Sequence, residues 1–557
     1  MIDFANVCDA VAATAAKSTK IERLAGYLNS LERDALVAAS RFLSGAPLAR
    51  KDDRRLAIGG RTILNAARHV WAFDDAALGR AYRDSGDLGE ALGALFGEPP
   101  VPSLFAERLT AASLAALLDE IASVAGRAAA KKREFVCERI LRACRVNREA
   151  VYAVKILTGD LRIGLREGLV LDAIAAAFGR EPQSVRRAAM AAGDVGAVAV
   201  AARDDRLSSI EIRYAAPIGF MLASPIAFGS SYRELAAGTW LVEDKYDGIR
   251  AQAHKCGDRV RLFSRTFSDA GRAFPEIVSA LAAQRGDFIL DGEIVARREG
   301  RALPFRYLQP RLQRVDPSEE LRSEVPVAFV AFDALAVGSS FLIDRPLGER
   351  RAQLAAALEP LGALELAPWQ ALEPDAPPER VHELFEAARL RGNEGLVLKR
   401  TDAPYVPGRR GKWWLKLKRE LSTLDCVVVA VEWGHGKRAK VLSDYTFAVR
   451  RSAESDELLT IGKAYTGLTD VEIATLTRWF EAHKIAAGRH GFAVEPAIVV
   501  EIAFDVIQKS DLHLSGFALR FPRIVRLRPD KPAGEIDTLE RVEEIYAEML
   551  AREGVAR

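Results

Sequence analysis

The spacing of apolar residues changes twice along this chain of 557 residues, and these changes limit what it can fold into. Up to about residue 215, apolar residues recur at helical spacing, as in residues 109–121 and 169–178. From about residue 239 to 421, strand-like runs alternate with helical segments, and beyond 421 strand-like runs predominate. The sequence therefore predicts a multidomain protein with an all-α N-terminal domain, an α+β domain built on antiparallel sheets, and a C-terminal β domain.

Breaks in the periodicity predict where these domains meet. Pro217, Pro225 and the run Gly229-Ser-Ser231 interrupt any regular pattern. We therefore predict a helical domain over 1–215, a linker over 216–235, an α+β domain over 236–421 and a C-terminal domain over 422–557. In the last of these, runs at 426–431, 445–449, 458–462, 497–504 and 523–528 surround one helix at 469–483. Five short strands and a helix are typical of an OB-type β-barrel.

Composition excludes several classes of protein. The five cysteines are scattered and form no C-x-x-C pair, which argues against a zinc site or a disulfide framework and fits a reducing cytosol. No run of eighteen apolar residues could span a membrane, and the N-terminus lacks a secretory signal. A cytoplasmic protein is expected. Because the net charge is only +3, any nucleic-acid surface must come from local clusters of charge.

The stretch Glu243-Asp-Lys245-Tyr-Asp247-Gly248-Ile-Arg250 carries the clearest chemical signal. A lysine lies between carboxylates and three residues before a glycine that allows close backbone approach, and the apolar run 240–242 predicts a buried strand before it. A lysine in an apolar pocket has a lowered pKa, and its neutral amine is a nucleophile. Arg250 is suited to a two-pronged contact with phosphate. The structural alternative is an exposed charged turn.

Further charged strings follow in order: Ser264-Arg265-Thr266, Leu290-Asp291-Gly-Glu293-Ile-Val, Val330-Ala-Phe332-Asp333, Glu394-Gly-Leu-Val-Leu-Lys399, Trp413-Trp414-Leu-Lys416-Leu-Lys418, and 520–531 with Arg520, Asp530 and Lys531. Each alone has a structural explanation, as a core aromatic, an exposed strand face or a turn. Together they are similar to the successive motifs of the covalent nucleotidyltransferases. The K-x-D-G-x-R pattern at Lys245 resembles that of DNA ligases, RNA ligases and mRNA capping enzymes.

A second signal lies in the helical region, at Gly159-Asp-Leu-Arg162-Ile-Gly164-Leu-Arg166. We predict that one helix ends near Gly159 and that the next begins by Leu169. Free backbone N–H groups at such a helix start bind phosphate, and the arginines add charge. The alternative is a plain helix–helix connection with solvated arginines. The string resembles the helical DNA-binding domain of ATP-dependent DNA ligases, which implies DNA binding by Arg162, Gly164 and Arg166.

The resemblance covers most of the chain and is nearest to ATP-dependent DNA ligases of the three-domain form. It implies an enzyme that uses ATP with Mg²⁺, or Mn²⁺, to seal nicked duplex DNA, a step common to DNA replication, repair and recombination. A lysyl-AMP intermediate forms, AMP moves to the 5′-phosphate, and the 3′-hydroxyl then displaces it. The resemblance also implies a monomer, without zinc or membrane attachment, in the cytoplasm and associated with the nucleoid.

The resemblance assigns roles to individual residues. Lys245 is the nucleophile, Glu243 reads the adenine amino group, Phe332 stacks on the base, and Glu293 and Glu394 hold the metal. The remaining nucleotide contacts are assigned to Arg250, Arg265, Glu293, Arg410, Lys416 and Lys418. The mobile C-terminal lid contributes Arg520, Asp530 and Lys531. These roles are chemically coherent, because phosphoryl transfer develops negative charge that cations must neutralise, and Mg²⁺ prefers carboxylates.

Three alternatives remain from the sequence. An RNA-capping nucleotidyltransferase or an RNA ligase would share the lysine motif but would not need the helical domain with its Gly159–Gly168 loop. Glu243 also favours adenine over guanine. A non-catalytic DNA-binding scaffold would have a damaged site, whereas Lys245, Glu293, Glu394, Lys416 and Lys418 are all present.

Overall fold

The computed structural model describes residues 1–49, 52, 54–97, 108–226, 235, 238–298, 300–303, 305–312, 314–374, 376–407, 410–418, 422–435, 438–488 and 491–552, without the side chains of Arg83, Arg306, Arg410 and Arg552. The chain divides into two compact units, Met1–Ala66 with Val101–Arg419, and Ala67–Pro100 with Glu420–Arg557. The domain boundaries drawn from the sequence stay a prediction, and 227–234 of the predicted linker lie outside the described residues.

The N-terminal region is helical, as predicted. Its helices are α1 Ile2–Ala12, α2 Lys17–Asn29, α3 Arg33–Leu43, α4 Gly60–Val70, α5 Asp75–Ser85, α6 Leu88–Ala94, α7 Ala111–Ser123, α8 Ala129–Ala143, α9 Asn147–Thr158, α10 Glu167–Ala177, α11 Pro182–Ala192 and α12 Val195–Arg203. In the first unit, α2 packs against α10 and α3 against α12. The sequence pattern Thr19-x-x-Glu22 predicts a capping box, but this is wrong because α2 begins earlier, with Ala16 as its N-cap.

The α+β region contains two sheets. Its strands are β1 Leu222–Ile226, β2 Trp240–Lys245, β3 Ile249–Cys256, β4 Arg259–Ser264, β5 Phe288–Arg298, β6 Arg301–Leu303, β7 Val327–Val337, β8 Ser340–Phe341, β9 Leu364–Leu366, β10 Trp369–Leu372, β11 Gly395–Arg400 and β12 Arg410–Lys418. Its helices are α13 Pro275–Ala282, α14 Phe305–Leu312, α15 Glu319–Glu324, α16 Leu347–Ala357 and α17 Pro378–Leu390. One sheet has the order β1-β12-β11-β2-β10, and the other β4-β3-β5-β7-β8 with β6 beside β5 and β9 beside β7. All pairs are antiparallel except β1 with β12 and β7 with β9.

Alternation along the strands separates a core face from a polar face in the five-stranded sheet. Trp240, Val242, Leu396, Leu398 and Leu415 point to one side and pack with apolar residues of α17. The intervening residues of β2, β11 and β12 therefore point to the other side, toward the second sheet. That polar face is where the predicted site residues meet.

The C-terminal region consists mainly of strands, as predicted. They are β13 Ser422–Trp433, β14 Leu442–Arg450, β15 Leu458–Ala464, β16 Lys484–Ala487, β17 Gly491–Val494, β18 Val499–Phe504, β19 Val506–Lys509, β20 Phe517–Arg520 and β21 Arg523–Leu527, with α18 Asp470–Ala482 and α19 Leu539–Arg552. Sequence patterns missed the short strands β16, β17, β19 and β20. Except for β19 and β20, which pair with each other, these strands form one sheet. Its closure into a barrel stays a prediction. Among the helices described here, none has the length and apolarity to cross a membrane.

Candidate active site

Strand register gathers the charged residues of the site on one face of the five-stranded sheet. Lys245 lies opposite Gly395, which lies opposite Lys418, and Glu243 and Lys416 both face Val397 in the same way. Residues directly opposite each other in a sheet point to the same side. Glu243, Lys245, Lys416 and Lys418 therefore share a face, as the two-residue spacing of each pair predicts.

Glu394 joins two of these lysines. The Nζ of Lys245 lies 2.9 Å from Oε2 of Glu394, and Lys418 forms an ion pair with the same oxygen. The backbone N–H of Glu394 also donates to the carbonyl of Lys245 at 2.8 Å. Burial opposes ionisation of Glu394, but the positive charges of Lys245 and Lys418 outweigh it and lower its pKa to about 2. Two ammonium groups are thus held side by side by one carboxylate.

Gly248 brings a second carboxyl group close to this cluster. A Cβ at Gly248 would lie 2.3 Å from the carbonyl oxygen of Ile294 and 2.9 Å from Cγ of Glu293, so a larger residue would force β3 away from β5. Burial raises the pKa of Glu293 to about 8, against the opposing charges of Lys245 and Arg250.

The residues present fit a divalent cation. Burial also raises the pKa of Asp247, to about 6, and this carboxylate accepts a bond from the N–H of Phe305 at 2.9 Å. Carboxylates are the protein ligands that Mg²⁺ prefers. The charges of Lys245 and Arg250 do not offset the cost of burying the ionised Glu293 carboxylate. A bound cation would therefore stabilise the ionised form. Glu293 and Glu394 are therefore suited to hold one.

Arg250 already makes a two-pronged contact within the protein. Its Nε and Nη2 donate to the carboxylate of Asp291 at 3.0 and 2.7 Å, and Nη1 donates to the carbonyl of Met221 at 2.5 Å. Asp291 is fully buried and also accepts a bond from the Tyr405 hydroxyl at 2.6 Å. The fork expected to face phosphate is therefore directed at Asp291, and the nucleotide contact of Arg250 stays a prediction.

Two basic residues to which the sequence assigned no role surround Glu243: Lys399, which ends the string that begins at Glu394, and Arg351. Lys399 donates to Oε2 of Glu243 at 2.5 Å, and Nη1 of Arg351 lies 3.4 Å from Oε1. The Nζ of Lys399 also lies 4.0 Å from the ring centroid of Phe332. Lys399 is only 2% exposed, which rules out for this residue the structural alternative of an exposed strand face. Arg351 lies on α16, outside every motif, and only the fold brings it here.

For the other predicted nucleotide-binding residues, the structure gives a position and a degree of burial. Phe332 is buried and meets Trp414 edge to face, with ring centroids 6.1 Å apart. Arg265 is exposed just after β4, and Lys416 is half-buried in β12. Arg410 begins β12, but its side chain lies outside the described part of the chain. Their nucleotide contacts stay predictions.

The predicted lid residues lie in the second unit. Arg520 ends β20, and Asp530 forms an ion pair with Arg528 at 2.8 Å. The Nζ of Lys531 donates to Asp425 at 2.7 Å. Asp425 also accepts a bond from Arg528, so within this unit the Asp425 carboxylate holds both Lys531 and Arg528.

The predicted DNA-binding loop connects α9 and α10. Gly159 follows α9 with φ of +75°, and Gly164 has φ of +64°, values that favour glycine. Arg166 is the N-cap of α10 and makes no side-chain capping bond, so the backbone N–H groups at this helix start lack a side-chain cap from it. Arg162 pairs with Asp160 at 2.9 Å. The loop thus has the form expected of a phosphate-binding helix start.

A buried lysine from another helix holds this loop. Lys20 on α2 donates to the carbonyls of Ile163 at 3.0 Å and Gly164 at 3.1 Å. Farther along the chain, Arg186 pairs with Asp172 and Arg187 pairs with Asp344. Lys20 had no signal in the sequence because its partners are backbone atoms more than a hundred residues away.

Known proteins match this chain along most of its length. Family models match at 1–175 (DNA ligase N terminus), 220–418 (ATP dependent DNA ligase domain) and 438–531 (ATP dependent DNA ligase C terminal region). A "Probable DNA ligase" of Koribacter versatilis is 47% identical over 97% of this chain and 96% of its own length. A "DNA ligase" of Methanoculleus marisnigri is 34% identical over 98% of both chains.

Structural comparison agrees at the level of the fold. The solved structure "Pmar-Lig_PreS3" aligns with a TM-score of 0.57 and 17% identity, covering 94% of this chain and 99% of that one. With relatives that are this similar in sequence over their whole length, the chain belongs to the ATP-dependent DNA ligase family.

Proposed function

We propose that this chain seals nicks in duplex DNA with ATP, through AMP carried on Lys245. The observation that supports this most directly is the cluster of Lys245, Lys418 and Glu394 on one sheet face, with Glu243 buried beside it. It combines a nucleophile, cations that bind a phosphate group, and the Glu243 carboxylate, which accepts a bond from the adenine base. Few other chemistries require this combination.

In the first step, Nζ of Lys245 attacks the α-phosphorus of ATP. An N–P bond forms, the bond from that phosphorus to the bridging oxygen breaks, and pyrophosphate leaves with the bonding electrons. Glu394 orients the amine. Because Lys245 and Lys418 keep the pKa of Glu394 low, the proton that the amine loses passes to the departing pyrophosphate or to water. Lys416 and Lys418 bind the nonbridging oxygens, where charge develops.

The surrounding residues hold the nucleotide. Glu243 accepts a bond from the adenine amino group, Phe332 packs on the ring, and Arg250, Arg265 and Arg410 contact phosphate or ribose directly or through neighbours. Glu293 and Glu394 would hold Mg²⁺, which would supply positive charge to the phosphates when bound, and Mn²⁺ is expected to substitute for it.

The later steps take place on DNA. The loop with Arg162, Gly164 and Arg166 binds the phosphate backbone, with the N–H groups at the start of α10 facing phosphate. AMP is transferred from Lys245 to the 5′-phosphate at the nick, and the 3′-hydroxyl then attacks that phosphorus and releases AMP. Arg520, Asp530 and Lys531 assist the first step from the lid, whose movement gates the sequence. We expect a monomer that works in the cytoplasm, on DNA of the nucleoid.

The decisive experiment measures intact-protein mass after incubation with a divalent metal and ATP, GTP or NAD. The protein is first stripped of bound AMP with pyrophosphate. We expect a gain of one AMP from ATP only, supported by Mg²⁺ and by Mn²⁺ and abolished by a chelator. Lys245→Ala should gain nothing yet still bind nicked DNA, which shows that its fold is intact.

The outcomes separate the alternatives. A GMP adduct would favour an RNA-capping enzyme, and AMP transfer only to nicked RNA would favour an RNA ligase. No adduct on the stripped protein, together with retained DNA binding, would favour a scaffold. Unaltered nick sealing by Lys245→Ala would refute the assignment of the nucleophile.

A further inference from the structure

Glu243 is a buried carboxylate on the face of the five-stranded sheet that also carries Lys245, Lys416 and Lys418. Each of its two oxygens has a cationic neighbour. It is 3% exposed and lies in β2, opposite Val397 of β11. Lys399 lies two residues beyond Val397 on the same side of β11, from where its Nζ reaches Oε2 of Glu243 at 2.5 Å. Arg351 approaches Oε1 from α16 at 3.4 Å. The carboxylate is thus held from two directions.

Lys399 is itself fixed in place by aromatic rings. Its Nζ lies 4.0 Å from the ring centroid of Phe332 and 4.5 Å from that of Trp414. An ammonium over aromatic faces is attracted by their electrons, more strongly where water is excluded. Burial lowers the pKa of Lys399, and the charge of Glu243 opposes that change. The rings of Phe332 and Trp414, together with the carboxylate of Glu243, therefore hold the Lys399 side chain in one orientation.

Arg351 connects the same carboxylate to the strand that carries Phe332. Its Nη1 donates to the carbonyl of Phe332 at 3.0 Å, and its Nη2 donates to the carbonyl of Ala367 at 2.6 Å. The neighbouring Arg350 forms a fully buried, two-pronged ion pair with Asp333. Helix α16 thereby fixes the backbone on which Phe332 sits and the acid beside it.

A carboxylate held in this way has a defined preference among purines. Ionised carboxylates accept hydrogen bonds and do not donate them. Adenine presents an amino donor at the position where guanine presents a carbonyl acceptor. An ionised, immobile Glu243 therefore attracts adenine and repels guanine, whereas a protonated or rotated one would lose this distinction.

We propose that Lys399, together with Arg351, positions Glu243 and so determines the selectivity of the site for adenine over guanine. The inference rests on the proposed function, in which Glu243 reads the base, and it adds the residues that make that reading possible. Lys399 acts through Glu243 and is a positioning residue, not a catalytic one.

The test is equilibrium binding, measured by calorimetry with ATP and with GTP in the presence of Mg²⁺. Both the reference and the variant carry Lys245→Ala, so that no nucleotide is transferred. Adding Lys399→Met should weaken ATP binding about tenfold and reduce the ATP-to-GTP preference by a similar factor, since Glu243 loses its main counterion. Arg351→Met should shift the preference in the same direction, and it serves if Lys399→Met does not fold.

A matched control uses another buried lysine. Lys255 on β3 is 7% exposed and donates to the carbonyls of Gly257 and Gly286, at the end of the strand away from Arg250. Lys255→Met should lower thermal stability but leave the ATP-to-GTP preference unchanged. Lys399→Met is also combined with Glu243→Gln. Once Glu243 is neutral, Lys399→Met should change the preference no further, because the two residues act as one unit.

Two results would overturn the inference. One is an unchanged ATP-to-GTP preference in folded Lys399→Met and Arg351→Met, and the other is an equal effect of Lys399→Met with and without Glu243→Gln. Neither depends on catalysis. If the wild-type chain gains no AMP from ATP, the proposed function fails. If it gains AMP and only the preference tests fail, Glu243 reads the base without help from Lys399.

Discussion

The amine of Lys245 lies 2.9 Å from Oε2 of Glu394, and Lys418 pairs with the same oxygen. The proposed nucleophile and a proposed phosphate-binding lysine therefore share one counterion. Because Lys245 ends β2 and Glu394 immediately precedes β11, the antiparallel register of these two strands determines this arrangement.

We predict that Glu394→Gln slows formation of lysyl-AMP about a hundredfold, a typical cost of removing a group that orients or stabilises charge in a transition state. The change removes the shared counterion and one metal candidate together, so the concentration of Mg²⁺ needed for half-maximal rate should also rise. Single-turnover mass measurements at varied Mg²⁺ test both. Glu386→Gln, at an exposed position on α17, is the control. An unchanged rate would mean that Glu394 is only a structural partner.

Arg250 and Asp291 form a two-pronged ion pair in the site. Asp291 is fully buried, and Arg250→Met would leave its charge without a cation. We expect a loss of about 3–5 kcal/mol in the free energy of unfolding. Arg250→Lys should recover only part of this, because lysine cannot make the two-pronged contact. Denaturant unfolding of the three proteins measures these losses.

The control for that prediction is Arg272→Met, which breaks an exposed pair with Asp316. We expect it to cost at most about 1 kcal/mol. Equal losses for Arg250→Met and Arg272→Met would contradict a structural role for the buried pair and would return Arg250 to the role of a phosphate ligand.

Much of the site could be predicted from local sequence. Lys416 and Lys418 are two residues apart, and this spacing alone places them on one side of a strand. Gly248 was correctly interpreted as a point of close backbone approach. Such features can be predicted because they depend on a few neighbouring residues and on the geometry of one strand.

The parts that could not be predicted depend on contacts between distant segments. Lys399 has the spacing of an exposed strand residue, and only the register of β2 with β11 turns it toward Glu243. Arg351 lies on a helix with no motif. Arg250 contacts Asp291 only because β3 pairs with β5. The false capping box at Thr19 shows the converse, since this local pattern lies inside α2, which already begins at Lys17.

His254 gives a prediction for the dependence of stability on pH. It is buried in β3, and burial, with the charge of Arg261, lowers its pKa from 6.5 to about 3. Below pH 6.5 the unfolded chain binds a proton that the folded chain does not, so stability is full above that pH and falls as the pH drops toward 3. Between pH 7.5 and pH 5, this group alone should cost about 2 kcal/mol.

His254→Gln removes this titration, so the variant should lose less stability than the wild type over the same pH interval. Guanidinium unfolding at several pH values provides the comparison. Identical slopes for His254→Gln and the wild type would show that His254 is protonated in the folded protein.

Lys20 provides a test of how the proposed DNA-binding loop is held. Its amine donates to the carbonyls of Ile163 and Gly164, so it supports the loop from inside, and we expect no direct contact with DNA. We predict that Lys20→Met weakens binding of nicked DNA about tenfold, since the loop would no longer be pre-organised, while formation of lysyl-AMP is unchanged. Lys17→Met, exposed at the start of the same helix, is the matched control.

The salt dependence of DNA binding separates support of the loop from contact with phosphate. Each phosphate contact that is lost reduces the slope of log affinity against log salt by about one. We expect Arg166→Ala to lower that slope and Lys20→Met to leave it at the wild-type value while lowering affinity at every salt concentration. A reduced slope for Lys20→Met would mean that its amine reaches DNA directly, and the loop would then be supported by its own glycines and by Arg162.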